Sequence, residues 1–193
     1  MRVRLSREER KNHIKEISRS IFIEKGISNT TMKDIIEATG LSVGGMYHYY
    51  KNPLEIFYEI MEDGNRERFK LVSKILAVEN VDRQASLKTF EDKIINDTES
   101  GKLYSIFLAE TITNKDLEDI YLRLMEEGIE EFNALTREAK FDFELTMNEF
   151  NLAILNSLIV GYQIIGNHKV FKDNRQRFRK ILNFIFFDKE EDK

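Results

Sequence analysis

The amino-acid sequence predicts an all-α protein with two parts, an N-terminal helix-turn-helix domain and a larger C-terminal helical domain, with about nine helices in all. One proline and nine glycines in 193 residues leave few interruptions, which favours helices over strands. Apolar residues recur every three or four positions along most of the chain. Between residues 31 and 53, two short amphipathic patterns flank a glycine, which is the pattern of a helix-turn-helix.

The first helix is predicted from Ser6 to about Lys25. Ser6 and Glu9 have the spacing of a capping box, in which each side chain binds the backbone N–H of the other residue. One face of this helix is apolar, and we expect it to pack against the helix-turn-helix. Its members are Ile14, Ile17, Ile21 and Phe22.

The segment from Thr31 to Pro53 carries the clearest local signals. Thr31 and Asp34 form a second capping box, and Gly40 suits the left-handed conformation that ends a helix. Ser42 is placed to cap the second helix of the motif, and Pro53, preceded by an asparagine cap, to start the next one. These signals predict two short helices and a tight turn, followed at once by a third helix.

The second helix of the motif has two glycines, Gly44 and Gly45, on or beside its exposed face. Each glycine costs a helix interior about 1 kcal/mol relative to alanine. On the same helical wheel Met46, Tyr49 and Tyr50 face the core. Glycines opposite them indicate that a partner approaches the backbone closely, and the DNA major groove fits a helix presented by its N-terminal end.

In order and spacing, about residues 7 to 60 resemble the DNA-binding signature of the TetR family of bacterial transcriptional regulators. The positions that carry the resemblance are Gly26, Thr30, Thr31, Ile35, Gly40, Leu41, Ser42, Met46, Tyr47, Tyr49, Tyr50, Lys51 and Asn52. One position departs from the family, because Pro53 stands where a lysine usually contacts a phosphate. Lys51 and the N–H groups at the start of that helix are placed to replace this contact.

The resemblance implies a homeodomain-like three-helix domain over residues 1–52 and an effector-binding and dimerisation domain over residues 53–193. It implies a cytoplasmic homodimer that represses transcription from a palindromic operator in double-stranded DNA, with no cofactor or metal. A small-molecule effector would tilt the long linking helix and release the DNA. The alternative is a ligand-binding or protein-interaction module that no longer binds DNA, which the departure at Pro53 favours.

Ten residues are the predicted DNA contacts. Lys33 and His48 are assigned to base edges, and the two glycines to close approach. Phosphates are assigned to Thr31, Ser42, Tyr47, Tyr49 and Lys51, and the full set is Thr31, Lys33, Ser42, Val43, Gly44, Gly45, Tyr47, His48, Tyr49 and Lys51. Further upstream, Arg2 and Arg4 belong either to a solvated tail or to an arm that contacts the DNA.

Charge is spread unevenly along the chain. Residues 1–53 hold ten Lys and Arg against six Asp and Glu, whereas the remainder holds 20 against 28. This asymmetry is expected when one domain faces phosphates and the other does not. The absence of cysteine excludes disulfides, thiolate nucleophiles and zinc-thiolate sites. The three histidines are scattered and no phosphate loop or catalytic triad is found, so we expect no enzyme.

A long helix over about residues 53–77 is expected to link the two domains. A loop at residues 81–83 and a helix that Gly101 closes are predicted next. A short apolar helix over residues 103–113 follows, and Asn114 begins a longer one.

Polar or aromatic residues within these apolar helices are the candidates for the effector site, namely Tyr104, Phe107, Glu110, Tyr121, Met125 and Asn156. Individually, each is also compatible with an ordinary core or interface position. Aromatic and thioether groups around one carboxylate would suit an apolar effector, including a cationic one.

The segment 152–165 is apolar on nearly every side and too short to span a bilayer. We therefore expect it to pack both on its own domain and on a second subunit. With the aromatic-rich last helix it would form a four-helix bundle about a two-fold axis. The predicted interface residues are Leu155, Ile159, Tyr162, Phe178, Ile181, Leu182 and Ile185.

Overall fold

The computed structural model describes residues 5–76, 83–95, 97–137 and 148–187, and every regular element in these ranges is an α-helix. The helices are α1 (Arg7–Lys25), α2 (Met32–Thr39), α3 (Val43–Tyr47), α4 (Pro53–Leu76), α5 (Arg83–Ile94), α6 (Glu99–Glu110), α7 (Lys115–Arg137), α8 (Glu149–Ile165), α9 (His168–Asp173) and α10 (Arg175–Phe187). The all-α prediction is confirmed. Arg2, Arg4 and residues 81–82 of the predicted loop lie outside the described residues. Among the described helices, none combines the length and apolar character needed to cross a membrane.

The helix starts predicted from capping signals are confirmed in the N-terminal region. Ser6 Oγ accepts the Glu9 N–H at 3.2 Å, and the Ser6 N–H donates to the Glu9 carboxylate at 2.7 Å. Asn52 Oδ1 accepts the Glu55 N–H at 2.9 Å at the start of α4. α4 runs without a break from Pro53 to Leu76, where the first described range ends. It is the longest helix in residues 5–76.

A first hydrophobic core joins α1–α4 to α6 and α7. The rings of Phe22 and Phe57 meet edge to face with centroids 5.7 Å apart, and Phe57 and Phe107 are 4.9 Å apart. Around them are the buried side chains of Ile14, Ile27, Ile35, Met46, Ile56, Ile60, Leu103 and Leu117. Because α4 and α6 share this core with α1, the packing continues across the predicted domain boundary at residues 52–53.

A second core is built from α5, α8 and α10. Its buried apolar members are Leu87, Ile94, Ile95, Leu155, Ile159, Tyr162, Phe178 and Leu182. The buried carboxylate of Glu91 binds Arg175 at 2.6 Å and also binds Arg179. Five of the predicted dimer residues, from Leu155 to Leu182, are buried against their own chain in this core. Ile181 is 52% exposed and Ile185 is half-buried.

Two details of the C-terminal helices differ from the sequence prediction. Gly101 does not close α5, because it lies in the first turn of α6 and donates its N–H to Thr98 Oγ1 at 3.1 Å. Gly166, with φ 74°, ends α8, and the separate short helix α9 follows it, which the sequence did not predict. The predicted start at Asn114 is confirmed, since its Oδ1 accepts the Asp116 N–H at 3.1 Å.

Candidate functional site

The first helix of the motif, α2, is held at both ends by local hydrogen bonds. The Thr31 N–H donates to Asp34 Oδ2 at 2.8 Å, and the Asp34 N–H donates to Thr31 Oγ1 at 3.3 Å. The Lys25 ammonium, 2.6 Å from Asp34 Oδ1, and then the Thr31 N–H hold the pKa of the Asp34 carboxyl well below its usual range. At the other end Gly40 has φ 66° and donates its N–H to Ile36 O at 3.0 Å. The turn geometry predicted from these residues is confirmed.

The second helix of the motif, α3, presents its first turn to solvent. Ser42 Oγ accepts the Gly45 N–H at 3.1 Å and so fixes the start of the helix. Val43 is 61% exposed and Tyr47 is 51% exposed, while Met46 is buried beneath them. The helix ends at Tyr47, so residues 48–50 form a turn and do not extend the predicted wheel. The exposed surface of α3 is thus its N-terminal end, where the N–H groups carry partial positive charge.

The two glycines of α3 differ in whether the structure around them leaves room for a side chain. A Cβ atom at Gly45 would lie 3.0 Å from Ser42 Oγ, so the capping hydroxyl itself favours glycine there. A Cβ atom at Gly44 would meet no atom within 4 Å. Gly44 is exposed and has no positive φ, so neither packing nor conformation within the described structure requires a glycine at this position. The missing side chain leaves space for a partner outside the chain.

Basic and aromatic side chains surround this exposed turn. The Lys33 side chain is 83% exposed, with its Nζ 3.8 Å from Glu37 Oε1. The rings of His48 and Tyr49 meet edge to face at 5.2 Å. All ten predicted DNA contacts are exposed or half-buried. Tyr50 is buried, as predicted, and donates its O–H to Glu59 at 2.8 Å.

A hydrogen-bonded bridge connects α6 to the loop between α1 and α2. The Glu110 carboxylate accepts the Ile27 N–H at 3.0 Å, the Ser28 N–H at 2.7 Å and the Ser28 hydroxyl at 2.6 Å. Asn114 Nδ2 donates to Ser28 Oγ at 2.9 Å. Gly26 has φ 86°, a conformation that favours glycine, and a Cβ atom there would lie 2.6 Å from Glu110 Oε1, so a larger residue would also have to displace this carboxylate. We call these contacts the Glu110 bridge; they direct the carboxylate towards the motif and away from the predicted effector site.

Four of the six predicted effector residues come together in what we call the Asn156 cluster, formed by Tyr104, Phe107, Tyr121 and Asn156. The Tyr104 hydroxyl donates to Asn156 Oδ1 at 3.0 Å, and Asn156 Nδ2 donates to the Tyr121 oxygen at 3.2 Å. The Phe107 ring centroid lies 6.1 Å from that of Tyr104 and 6.3 Å from that of Tyr121. Burial raises the pKa of Tyr104 to about 12. Met125, one turn beyond Tyr121 on α7, is half-buried.

Apolar side chains are exposed on α8, α9 and α10, and the sequence prediction of an apolar interface on these helices named only Ile181 among them. These side chains are more than half exposed, and they are Phe150, Ile164, Ile165, Val170, Ile181 and Phe184. Apolar residues surround α8, and the pattern alone does not tell which of them face its own core. Within the described ranges, no group of three or more potential metal ligands is brought together.

Comparisons with known proteins identify the family. Residues 16–60 match the family model described as bacterial regulatory proteins, tetR family. The uncharacterized HTH-type transcriptional regulator YfiR of Bacillus subtilis is 33% identical over 88 residues, which are 46% of this chain and 42% of that protein. The HTH-type transcriptional repressor KstR2 of Mycolicibacterium smegmatis is 26% identical over 54 residues, which are 28% and 26% of the two chains. The matches therefore span less than half the length of these relatives.

Solved structures share the whole fold. Salmonella enterica GusR has a TM-score of 0.72 at 18% identity, over 94% of this chain and 98% of that one. A protein from Saccharomonospora viridis in complex with choline has a TM-score of 0.60 at 16% identity, over 95% and 100%. At these identities the likeness concerns the fold alone. The family match and the geometry of α2 and α3 therefore identify residues 16–60 as the helix-turn-helix domain of the TetR family of bacterial regulatory proteins.

Proposed function

We propose that this chain is a sequence-specific DNA-binding regulator of transcription, a repressor that a small-molecule effector releases from its operator in the bacterial cytoplasm. The observation that carries the proposal is the exposed first turn of α3, where Gly44 leaves open space beside the start of a helix that Ser42 caps at Gly45. A surface of this shape suits the major groove, because backbone N–H groups can reach a phosphate without a side chain in between.

The proposed contacts follow from where the side chains lie. Lys33 and His48 are exposed on either side of the turn and would reach base edges. The hydroxyls and the ammonium that would hold phosphates are those of Thr31, Ser42, Tyr47, Tyr49 and Lys51, with Val43 and Gly45 beside them. At Pro53, where a lysine is usual in the family, the first turn of α4 still presents N–H groups other than the capped one of Glu55, so phosphate binding would depend on these and on Lys51.

A homodimer would bind the two halves of a palindromic operator. The surface proposed for its interface is the exposed apolar one on α8–α10, in place of the buried residues that the sequence first indicated. Phe184 is 71% exposed and Phe150 is 68% exposed, values that are unusual for large apolar side chains of an isolated protein. Ile181, the exposed member of the predicted set, lies three residues from Phe184 on the same helix and would remain in the interface.

The effector domain would be coupled to the motif by two contacts of α6. The Glu110 bridge binds the end of α6 to the loop that begins the helix-turn-helix. The ring of Phe107, also on α6, packs on Phe57 of α4 and belongs to the Asn156 cluster through its contact with Tyr104. A ligand in that cluster would displace α6 and α4 together. To release the DNA, the ligand needs only a higher affinity for the conformation that cannot bind the operator than for the one that can.

Selection of bound sequences from random duplexes tests this function. The purified chain is incubated with the duplex pool at two salt concentrations, and the recovered sequences are compared. We expect one enriched palindrome whose binding weakens steeply with salt, because phosphate contacts release counterions. A folded protein that enriches no sequence at either salt concentration would contradict the proposal and favour a ligand-binding or protein-interaction module.

A further inference from the structure

One arginine of the linking helix lies on the side of that helix that faces the protein interior. Arg68 follows Phe57 and Met61 by eleven and seven residues, spacings that return to the same face of an α-helix. Phe57 is fully buried and Met61 is 9% exposed, so this face of α4 is packed against the protein. Arg68 itself is only partly exposed, although arginine is ordinarily a surface residue.

Within the described residues, the Arg68 guanidinium has no anionic partner. Its hydrogen bond goes to the neutral Asn65 Oδ1 at 2.5 Å, and no carboxylate in the described part of the chain forms an ion pair with it. Burial lowers its pKa, and the ionisable group that opposes this effect is the Tyr104 hydroxyl. Two residues earlier, Arg66 is well exposed and pairs with Asp63. Arginine stays protonated in proteins, so Arg68 carries a partly desolvated charge that nothing in the described structure neutralises.

The groups near Arg68 offer hydrogen-bond donors beside an aromatic wall. Phe57, on the same face of α4 as Arg68, packs on Phe107 of the Asn156 cluster with ring centroids 4.9 Å apart. The Tyr104 hydroxyl belongs to that cluster, and the charge of Arg68 opposes the rise in the pKa of Tyr104. In that cluster the Tyr121 oxygen accepts a hydrogen bond from Asn156, so its own proton remains available to a further acceptor. The carboxylate expected here, that of Glu110, is bound to the α1–α2 loop. Among the described residues, the site therefore combines one cation, a phenol donor and aromatic rings, and no carboxylate of these residues is directed into it.

We propose that the effector is an anion, an aromatic or aliphatic carboxylate, whose charged group binds Arg68 while its apolar body packs on the rings of Tyr104, Phe107 and Tyr121. This inference rests on the proposed effector function and names the class of its ligand. A bound carboxylate supplies the counter-charge that Arg68 lacks and accepts parallel N–H bonds from the guanidinium. It also reverses the expectation of a cationic effector, since that expectation depended on Glu110.

A charge-matched ligand library tests the proposal. Each phenyl, indolyl or alkyl scaffold is supplied as its carboxylate, its primary amide and its amine, and each compound is scored by the shift in Tm and titrated by calorimetry. We expect the carboxylates to bind about tenfold or more tightly than the amides, and the amines not to bind. In Arg68→Met the preference for carboxylates should disappear, whereas Arg66→Met, the exposed control two residues away, should keep it.

The unliganded variants supply a second readout. Arg68→Met removes an unpaired, desolvated charge and should raise the Tm of the free protein, whereas Arg66→Met removes an exposed ion pair and should leave it nearly unchanged. Hits among amines, carboxylate binding that survives in Arg68→Met, or no carboxylate hit in the whole library would each overturn the proposal. Operator release is measured separately: carboxylates that bind through Arg68 but leave the protein on DNA would uphold the ligand class and contradict effector control.

Discussion

The caps that shape the helix-turn-helix act over shorter distances along the chain than the side-chain bonds that join the C-terminal helices. In α1–α3, the caps at Ser6, Thr31 and Ser42 each bind a residue three positions away. In the C-terminal region, Tyr104 binds Asn156 across 52 residues, and Arg179 binds Glu91 across 88. We infer that the two kinds of bond have different roles. Local bonds fix the shape of the surface that faces the DNA, whereas long-range bonds allow a ligand to change how distant helices pack.

The comparison can be tested most strongly at the buried Glu91. The double variant Arg175→Met with Arg179→Met leaves that fully buried carboxylate without its two cations. We expect the free energy of unfolding to fall by about 3 to 5 kcal/mol, since a buried charge is left uncompensated. Urea denaturation measures the loss, and the exposed Arg177→Met serves as the control on the same helix. A loss no larger than that of the control would contradict the role given to this long-range contact.

A smaller effect, on binding alone, is expected in the locally stabilised region. Lys33→Ala should weaken operator binding by about 1 to 3 kcal/mol and relax the preference for one base pair, if Lys33 binds a base edge. Its side chain is 83% exposed, so stability should not change. Lys115→Ala, another exposed helix lysine beside carboxylates, is the matched control. An equal loss on every DNA sequence would identify Lys33 as a phosphate contact instead.

The Glu110 bridge joins the two regions, and its loss should affect both. Glu110→Gln keeps the size of the side chain but replaces one acceptor oxygen with a donor that faces the Ser28 N–H or the Ile27 N–H. We expect about 1 to 2 kcal/mol less stability and a smaller effect of the effector on operator affinity. Glu126→Gln, on the exposed face of α7, should change neither quantity. If the effector changed the operator affinity of Glu110→Gln as much as that of the unchanged protein, the Glu110 bridge would not couple the effector site to the helix-turn-helix.

The smallest effect expected is the pH dependence of the α2 cap. The pKa of Asp34 is lowered in the folded protein, first by its bond with Lys25, so the carboxylate contributes stability above its ordinary pKa of 3.8. This contribution is lost as the pH falls through the folded pKa, below that value. Asp34→Asn should therefore flatten the fall of Tm with decreasing pH in the acid range, with little difference left at the lowest pH. If Tm fell with pH equally in the two proteins, the Asp34 carboxylate would make no pH-dependent contribution to stability.

The sequence predicted the N-terminal region in detail because its signals are local. The capping pairs at Ser6 and Thr31 and the left-handed Gly40 act within one turn of helix, so residue identity and spacing determine the geometry. The C-terminal outcomes depended on partners far away in the sequence. Glu110 binds Ser28, which lies 82 positions earlier, and no periodicity within α6 indicates this.

The same limit explains the other differences. Gly101 was expected to end a helix, but Thr98 caps a new helix whose first turn contains Gly101. A glycine is compatible with the end of one helix and with the first turn of another. Leu155 and Phe178 were correctly expected to be covered, but the pattern does not tell whether the covering surface belongs to the same chain or to a partner. Arg68 was missed because an arginine in a helical pattern normally indicates an exposed face.

The central claim is that the first turn of α3 enters the DNA, and a pair of glycine variants tests it most directly. Gly44→Ala and Gly64→Ala each add one methyl group at an exposed helical position where no atom lies within 4 Å. Operator affinity and Tm are measured for both variants. The account predicts that neither variant loses stability, that Gly64→Ala binds the operator normally, and that Gly44→Ala loses about tenfold or more in affinity. Normal operator binding by Gly44→Ala would contradict the account.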